Sequence, residues 1–451
     1  MWEALGSLIN IIFFIFIIYF LCQNKHILVV QLLLIGLFIL PPFTFSGNKI
    51  SFSYFALIIL LCYIGITGSY LKTYYPKKIF LIFFMFLLPI FVELVSTFFS
   101  VIIKGNTMIL WIPLIGILKN IFLFLSIALI LYKRLKQNKN TDRECLIGLL
   151  IPVFQIVMSA NLIFIFIQLL QPNLGFKIVQ WYSSETKSTL PVLAISDGVF
   201  PRLYGLNYSP VLLGAKSLLC FTSSLFGIIQ KTNPETKRKL LVLLMLSLIN
   251  GIFSFSKTFI LGSLLSLFIY ILFFLINVIK MRLIQIREII LIVLIGICFI
   301  VIIINSKNLS TITKLPFSYY FGFIVTNPLE ALKTRYIYES VPVDTQLTYD
   351  IIKANPILGV GYTSPLGEFI GDSEYLVAMH HGGIVSLLLK LSLIVFLLFV
   401  SLKRQDKFFL GIIVACLITG FALPALYSDI FIVLIGAYIS YAIFYEELSR
   451  Y

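Results

Sequence analysis

Apolar runs, many close to ~20 residues, recur along the whole chain and are separated by short polar breaks. A helix of that length crosses a bilayer's hydrocarbon core, whereas a β-barrel would show short alternating segments instead. The pattern predicts about 13 helices, at roughly 7–22, 27–43, 51–71, 79–103, 109–132, 146–170, 210–229, 239–255, 258–279, 288–305, 379–400, 408–425 and 428–446. An even number follows if one early segment does not cross fully. The expected fold is an all-α polytopic membrane protein with about 12–14 transmembrane helices, and residues 1–451 form a single integral membrane domain.

Two connections break the rhythm, at 171–209 and at 306–378. Compact proteins join their elements with far shorter loops, and long ones are usually functional or disordered. These two carry aromatic and apolar residues in FKIVQWY, GVFPRLYGLNY and LPFSYYFGFIV, without low-complexity composition, so they are expected to be structured. TYDIIKANP predicts a short helix with Tyr349 and Ile352 on one face, halted by Pro356. No internal repeat is evident.

Composition agrees with the pattern: 60% of the residues are hydrophobic and 12% charged, too apolar for a soluble fold of 451 residues. The net charge of +15 would suggest nucleic acid in a soluble protein. Here the cations fall in short clusters: Lys72, Lys77 and Lys78; Lys133, Arg134, Lys136, Lys139 and Arg143; Lys237, Arg238 and Lys239; Lys280, Arg282 and Arg287; Lys403, Arg404 and Lys407. That is the positive-inside signature, which orients a membrane protein and implies no nucleic-acid partner. It puts both long loops on the outer side. MWEALGSL lacks a basic n-region, so no cleavable signal peptide is expected. Cys22, Cys62, Cys145, Cys220, Cys298 and Cys416 lie in or beside apolar runs without a CxxC pair, which reads as small apolar residues rather than disulfides or a zinc site.

Charges in such a chain need a reason. Lys216, Lys257 and Lys390 fall inside helices or at their outer ends, and an ammonium at a helix centre costs on the order of 3 kcal/mol. Each either snorkels to the headgroups or faces a polar partner. Lys257 sits in FSFSKTF, where two helices meet with almost no loop. Arg202 and Arg335 lie one in each long loop, and their planar forks suit phosphate oxygens. Glu93 and Lys119, on consecutive helices, are expected to meet as an intramembrane ion pair, either structural or in a substrate or proton path. The second loop also holds Asp344, Asp350, Glu368, Asp372 and Glu374. Asp372, His380 and His381 are candidate bases for a hydroxyl nucleophile; solvated carboxylates and structural imidazoles are the plainer alternatives. GVGY lacks the spacing and context of a dinucleotide fingerprint and reads as a tight turn.

Taken in order, three stretches resemble the O-antigen ligase/polymerase superfamily of bacterial inner-membrane proteins. FPRLYGLNYSP resembles its Arg followed by Gly and Pro leading into a helix. FSFSKTFILG resembles its Ser-x-Ser-[Arg/Lys] hairpin. The stretch from Arg335 through NPILGVGYTS to GDSEYLVAMHHGGI resembles its Arg, Pro-x-Leu-Gly-x-Gly, [His/Asp]-[Asn/Ser]-x-Tyr-Leu and Gly-Ile series. The similarity covers about residues 196–390. It implies a GT-C-like glycosyltransferase in the bacterial inner membrane, multi-pass, with its active site facing the periplasm. Donor and acceptor would be undecaprenyl-diphosphate-linked glycans, with membrane lipids around them and room for a chain-length regulator protein as partner. No nucleotide sugar, cofactor or essential metal is implied.

Carried over, the resemblance gives Asp372, Arg335 and Arg202 catalytic roles. Lys257, Lys216, Tyr204, Tyr375, His380, His381 and Glu374 would contact substrate. Asp372 stands where ligases commonly have a His, which favours a repeat-unit polymerase over an O-antigen ligase. The competing class is a lipid-linked oligosaccharide flippase or polysaccharide transporter, which would account for Glu93, Lys119, Lys216 and Lys390 but less well for polar residues gathered in two outer loops.

Overall fold

The structure is a computed structural model. It describes residues 2–45, 48–67, 76–104, 111–137, 144–182, 203–207, 209–230, 233–281, 294–297, 301–313, 315–326, 333, 343–363 and 373–448. The first half contains α1 (Trp2–Cys22), α2 (His26–Ile39), a two-stranded antiparallel ribbon of β1 (Phe43–Phe45) and β2 (Asn48–Ile50), α3 (Phe52–Thr67), α4 (Lys77–Lys104), α5 (Trp111–Gln137), α6 (Glu144–Leu170) and α7 (Pro172–Tyr182). The second contains α8 (Pro210–Ile228), α9 (Pro234–Phe253), α10 (Lys257–Met281), α11 (Ser306–Thr313), α12 (Phe317–Thr326), α13 (Val343–Ala354), α14 (Glu374–Lys403), α15 (Lys407–Thr419) and α16 (Asp429–Leu448).

Among the described residues five helices are long and apolar enough to cross a membrane, or up to six if a bent pair is taken as one span. Others are shorter than the sequence pattern suggested. α2 has 14 residues and α15 has 13, a rise of only about 20 Å against a hydrocarbon core of ~30 Å. Helix α4 shows how the bundle meets its surroundings. Phe84, Phe91 and Phe98 recur every seven residues and are each 63% exposed. On the opposite face Phe86, Ile90, Glu93, Thr97 and Ser100 are buried. The outward stripe is apolar and the inward one partly polar, which is the reverse of a helix on a soluble protein.

At the centre stands α8, buried along nearly its whole length. It begins on a Ser209 cap, whose side chain accepts a hydrogen bond from Val211 N, followed by Pro210 in the first turn. Its close neighbours reach it through small residues. A Cβ at Gly411 of α15 would come within 2.6 Å of the Thr222 carbonyl, and one at Gly262 of α10 within 2.5 Å of Leu218. Small residues let helix backbones approach where lipid offers no hydrophobic drive for association.

The bundle has two distinct ends. At one, Lys78 and Arg404 both pair with Glu446, and Lys407 donates to the Ile229 carbonyl. At the other, Ser373 donates to the Gly420 carbonyl and Ser51 to Asp429. The tight hairpin expected at FSFSKTF is present: α9 ends at Phe253, Phe255 takes a left-handed φ of 47°, and α10 starts at Lys257. Of the cysteines, Cys220 and Cys416 are buried as expected, whereas Cys22 and Cys62 are exposed.

Candidate functional site

Helix α14 was expected to begin near 379, with His380 and His381 at its start. It begins instead at Glu374, on a Ser373 cap that accepts from Tyr375 N at 3.3 Å, and it is broken at Gly382 and Gly383. Gly383 has φ 60°, ψ −157°, a conformation essentially confined to glycine. The histidines therefore close the first half-helix. Its last carbonyls would be orphans, but the segment Asn355–Tyr362 fills the gap. Val360 N donates to the His380 carbonyl and Gly361 N to the His381 carbonyl, both at 2.8 Å. Across the break, Ile384 N donates to the Pro356 carbonyl at 2.8 Å. A turn-rich loop thus splints a broken helix, and non-helical backbone at membrane depth is tolerated only where protein satisfies it in this way.

Glycine permits the fit. Gly361 has φ 70°, and a Cβ there would lie 2.2 Å from Thr97 N of α4. The next residue, Tyr362, donates from its backbone N to Thr97 Oγ1 at 2.8 Å and from its hydroxyl to Glu93 Oε2 at 2.6 Å. Glu93 Oε1 accepts from Ser386 at 2.7 Å and lies 3.0 Å from Lys390 Nζ. Lys390 also meets Glu374 Oε1 at 3.1 Å, and its ammonium lies over the Tyr427 ring, 5.2 Å from the centroid. The His381 ring is 4.5 Å from that of Tyr362 and 5.5 Å from that of His380. All of these groups are buried.

Two carboxylates face one ammonium, so the cluster carries a formal surplus of negative charge. Glu374 Oε2, His380 Nδ1 and both ring nitrogens of His381 have no hydrogen-bond partner among the described residues. Buried polar atoms are rarely left so. Such a group can hold water, or bind a hydroxyl or a proton.

The expected pairing of Glu93 with Lys119 does not occur. Lys119 Nζ meets Asp429 at 2.9 Å and Ser53 Oγ at 2.6 Å. The two helices are consecutive, but Glu93 faces α14 while Lys119 faces α16; adjacency in sequence did not fix rotation about the helix axis.

A second polar region adjoins this one through the Tyr427–Asp429 segment, whose Tyr427 carbonyl accepts from Asn120. A cavity of about 310 Å³ is lined by Lys216, Asn207, Tyr182, Ser51 and Asp429 among others. Leu206 and Asn207 of the loop 203–207 form part of its wall. Gln168 Oε1 accepts from Tyr204 N at 2.9 Å and Gly205 N at 3.2 Å, and Asn161 Oδ1 accepts from Leu206 N at 2.9 Å. Lys216 Nζ donates to Asn207 Oδ1 at 2.6 Å and to the Phe38 carbonyl at 2.7 Å.

The sequence candidates thus divide. Glu374 pairs with Lys390, and His381 and His380 follow in the same buried cluster, His381 against Tyr362 and His380 beside His381. Lys216 belongs to the cavity wall, whereas Tyr204 lies outside it, its backbone N on Gln168. Lys257 stands at the hairpin, its ammonium 5.6 Å from the Tyr319 ring centroid. Tyr375 turns away to α15, donating to the Leu417 carbonyl at 2.6 Å. Arg202, Arg335 and Asp372 lie outside the described residues. Sequence reasoning missed Tyr362, Ser386, Tyr427 and Asp429; the available signal was that a lysine as deep as Lys390 demands partners.

Compared with models of known protein families the chain matches none, and it matches no curated protein sequence.

Proposed function

We propose that the protein is a membrane glycosyltransferase that polymerises undecaprenyl-diphosphate-linked oligosaccharide repeat units of an O-antigen or related surface polysaccharide. The observation that carries this reading is that the resembling stretches, distant in sequence, pack into joined units. A Cβ at Gly214, in the helix that FPRLYGLNYSP leads into, would come within 2.5 Å of Ser256 in FSFSKTF. NPILGVGY splints the helix of GDSEYLVAMHHGG. The 310 Å³ cavity brings Lys216 of the first unit near Asp429, and Tyr427 of the same segment covers Lys390 of the third.

In this reading the bundle has about 12–14 transmembrane helices and a GT-C-like fold. The long loops and the active site face the periplasm of a bacterial inner membrane. The acceptor sugar hydroxyl attacks the anomeric carbon of the donor. Asp372 takes the hydroxyl proton, and the lipid diphosphate leaves with its charge offset by Arg202 and Arg335. Donor and acceptor are lipid-linked glycans; a chain-length regulator is a further partner.

A transporter is the second reading, and one observation favours it: a broken helix beside buried ion pairs is a usual build for a substrate or ion site in a transporter. One experiment separates the readings. The purified protein is reconstituted into liposomes with a defined lipid-diphosphate-linked repeat unit. Elongated lipid-linked products support the polymerase. Products formed only with a lipid A core acceptor indicate the ligase. Movement of intact single units across the bilayer without elongation indicates the flippase.

A further inference from the structure

The basic end of the bundle holds a second cavity, of about 680 Å³, bounded by α4, the second half of α14 and α16. Its walls include Ile82, Phe396, Phe399 and Ile443. Phe399 is 63% exposed and Leu81, also in the wall, 61%, so the cavity opens sideways to where lipid tails would lie. Its rim is charged: among the described residues, Lys78, Lys403 and Arg404 stand around one carboxylate, Glu446. Lys78 and Arg404 share Glu446, the latter pair at 3.6 Å. Two further charges nearby, Asp406 and Lys407, have other partners. Asp406 caps α15 by accepting from Phe409 N at 3.1 Å, and Lys407 donates to the Ile229 carbonyl at 3.3 Å.

An apolar chamber open to lipid under a rim where Lys78, Lys403 and Arg404 outnumber Glu446 among the described residues is complementary to a molecule with acyl chains and an anionic head. We propose that this cavity is a binding site for an anionic phospholipid, its chains between Phe396, Phe399 and Ile443 and its phosphate on Lys403, Lys78 and Arg404. The volume falls within the ~300–1,000 Å³ usual for ligand sites. Basic pockets between transmembrane helices recognise anionic headgroups by the same physics. The site lies at the opposite end of α14 from Glu374 and does not depend on the glycosyltransferase reading.

The test uses the full chain, purified in detergent and depleted of lipid. Phosphatidylglycerol, phosphatidylcholine with the same chains, and inorganic phosphate are titrated separately, with native mass and Tm as readouts. Phosphatidylglycerol is expected to bind saturably and to raise Tm by a few degrees, whereas phosphatidylcholine and phosphate leave it unchanged. In the double variant Lys78→Gln, Lys403→Gln, whose side chains are solvent-accessible, the affinity for phosphatidylglycerol is expected to fall roughly tenfold or more. Equal binding of phosphatidylcholine would overturn the site, as would undiminished affinity in the double variant. A response to inorganic phosphate equal to that of phosphatidylglycerol would make it a free-anion site instead. Should the variant fail to fold, the comparison of the two lipids at low and high salt in the unsubstituted protein decides, since a headgroup contact weakens with salt.

Discussion

Lys390 Nζ lies 3.1 Å from Glu374 Oε1 although sixteen residues separate them along one helix. In a straight helix those positions would be about 24 Å apart. The contact exists because the backbone turns at Gly382 and Gly383 and folds the first half-helix back on the second. The ion pair and the break therefore depend on each other, and Glu93 of α4 locks them from the side at 3.0 Å.

Lys390→Met should cost about 3–5 kcal/mol of stability, because it leaves two buried carboxylates without their counter-charge. Lys390→Arg should cost less. Unfolding midpoints in detergent check this. A methionine variant as stable as the parent would mean that Glu93 and Glu374 are protonated in the folded protein and that the ammonium is dispensable.

Gly361→Ala should be destabilising by more than ~1 kcal/mol. Its φ is 70°, and the new methyl would meet the backbone of Thr97 at 2.2 Å, where no side chain can yield. The contrast is Gly148 of α6, where a Cβ would meet nothing within 4 Å. Gly148→Ala should be neutral or stabilising by up to ~1 kcal/mol, from helix propensity alone. Thermal unfolding of the two variants side by side tests the splint: equal behaviour would show that the loop does not hold the break.

Much of this architecture was legible in the sequence. The helices α4, α5, α6 and α8 were readable because long apolar runs leave no other way to satisfy the backbone. The Lys257 hairpin was readable because too few residues remained for a loop, and the helix Val343–Ala354 because Pro356 follows it. What was not legible depended on rotation and depth. Lys119 has Asp429, 310 residues away, as its partner rather than Glu93, and no local pattern reports which face of one helix meets which face of another. The glycine pair after His381 read as a helix start, since Gly marks breaks without saying which side of the break is folded. Tyr362 was read as part of a turn; its hydroxyl bond to Glu93 is visible only once the turn is docked on α4.

Arg202→Ala and Arg335→Ala should each abolish or severely reduce polymer while the protein still inserts. In the proposed polymerase, one Arg from each long loop offsets the charge of a diphosphate leaving group. Lysine should rescue poorly, because the planar fork is lost. The residues after Arg202 are firmly held, with Tyr204 N and Gly205 N on Gln168. Gln168→Ala should therefore lower activity in the same direction, by loosening the loop. Normal polymer ladders from both arginine variants would remove the clamp.

Burial weighs against His381 as the base. His381 is 2% exposed and its ring lies tilted at 40° against that of Tyr362, a position suited to supporting the break rather than to meeting an acceptor sugar. Asp372 immediately precedes Ser373, the cap of α14. If Asp372 takes the acceptor proton, Asp372→Asn keeps the shape and removes the base. Transfer should then fall by roughly 10²–10⁴-fold with donor binding and unfolding midpoint little changed. His381→Ala should do the opposite: a cavity opens beside Tyr362, the midpoint falls, and transfer per folded molecule falls much less. Rates on monodisperse protein, measured beside unfolding curves, distinguish the two. A near-normal rate for Asp372→Asn with a folded but inactive His381→Ala would transfer the role to the histidine. If both stay active, the remaining loop carboxylates compete unequally: Glu374 is buried against Lys390, whereas Asp350 is exposed on α13, so Asp350→Asn is the variant to make next.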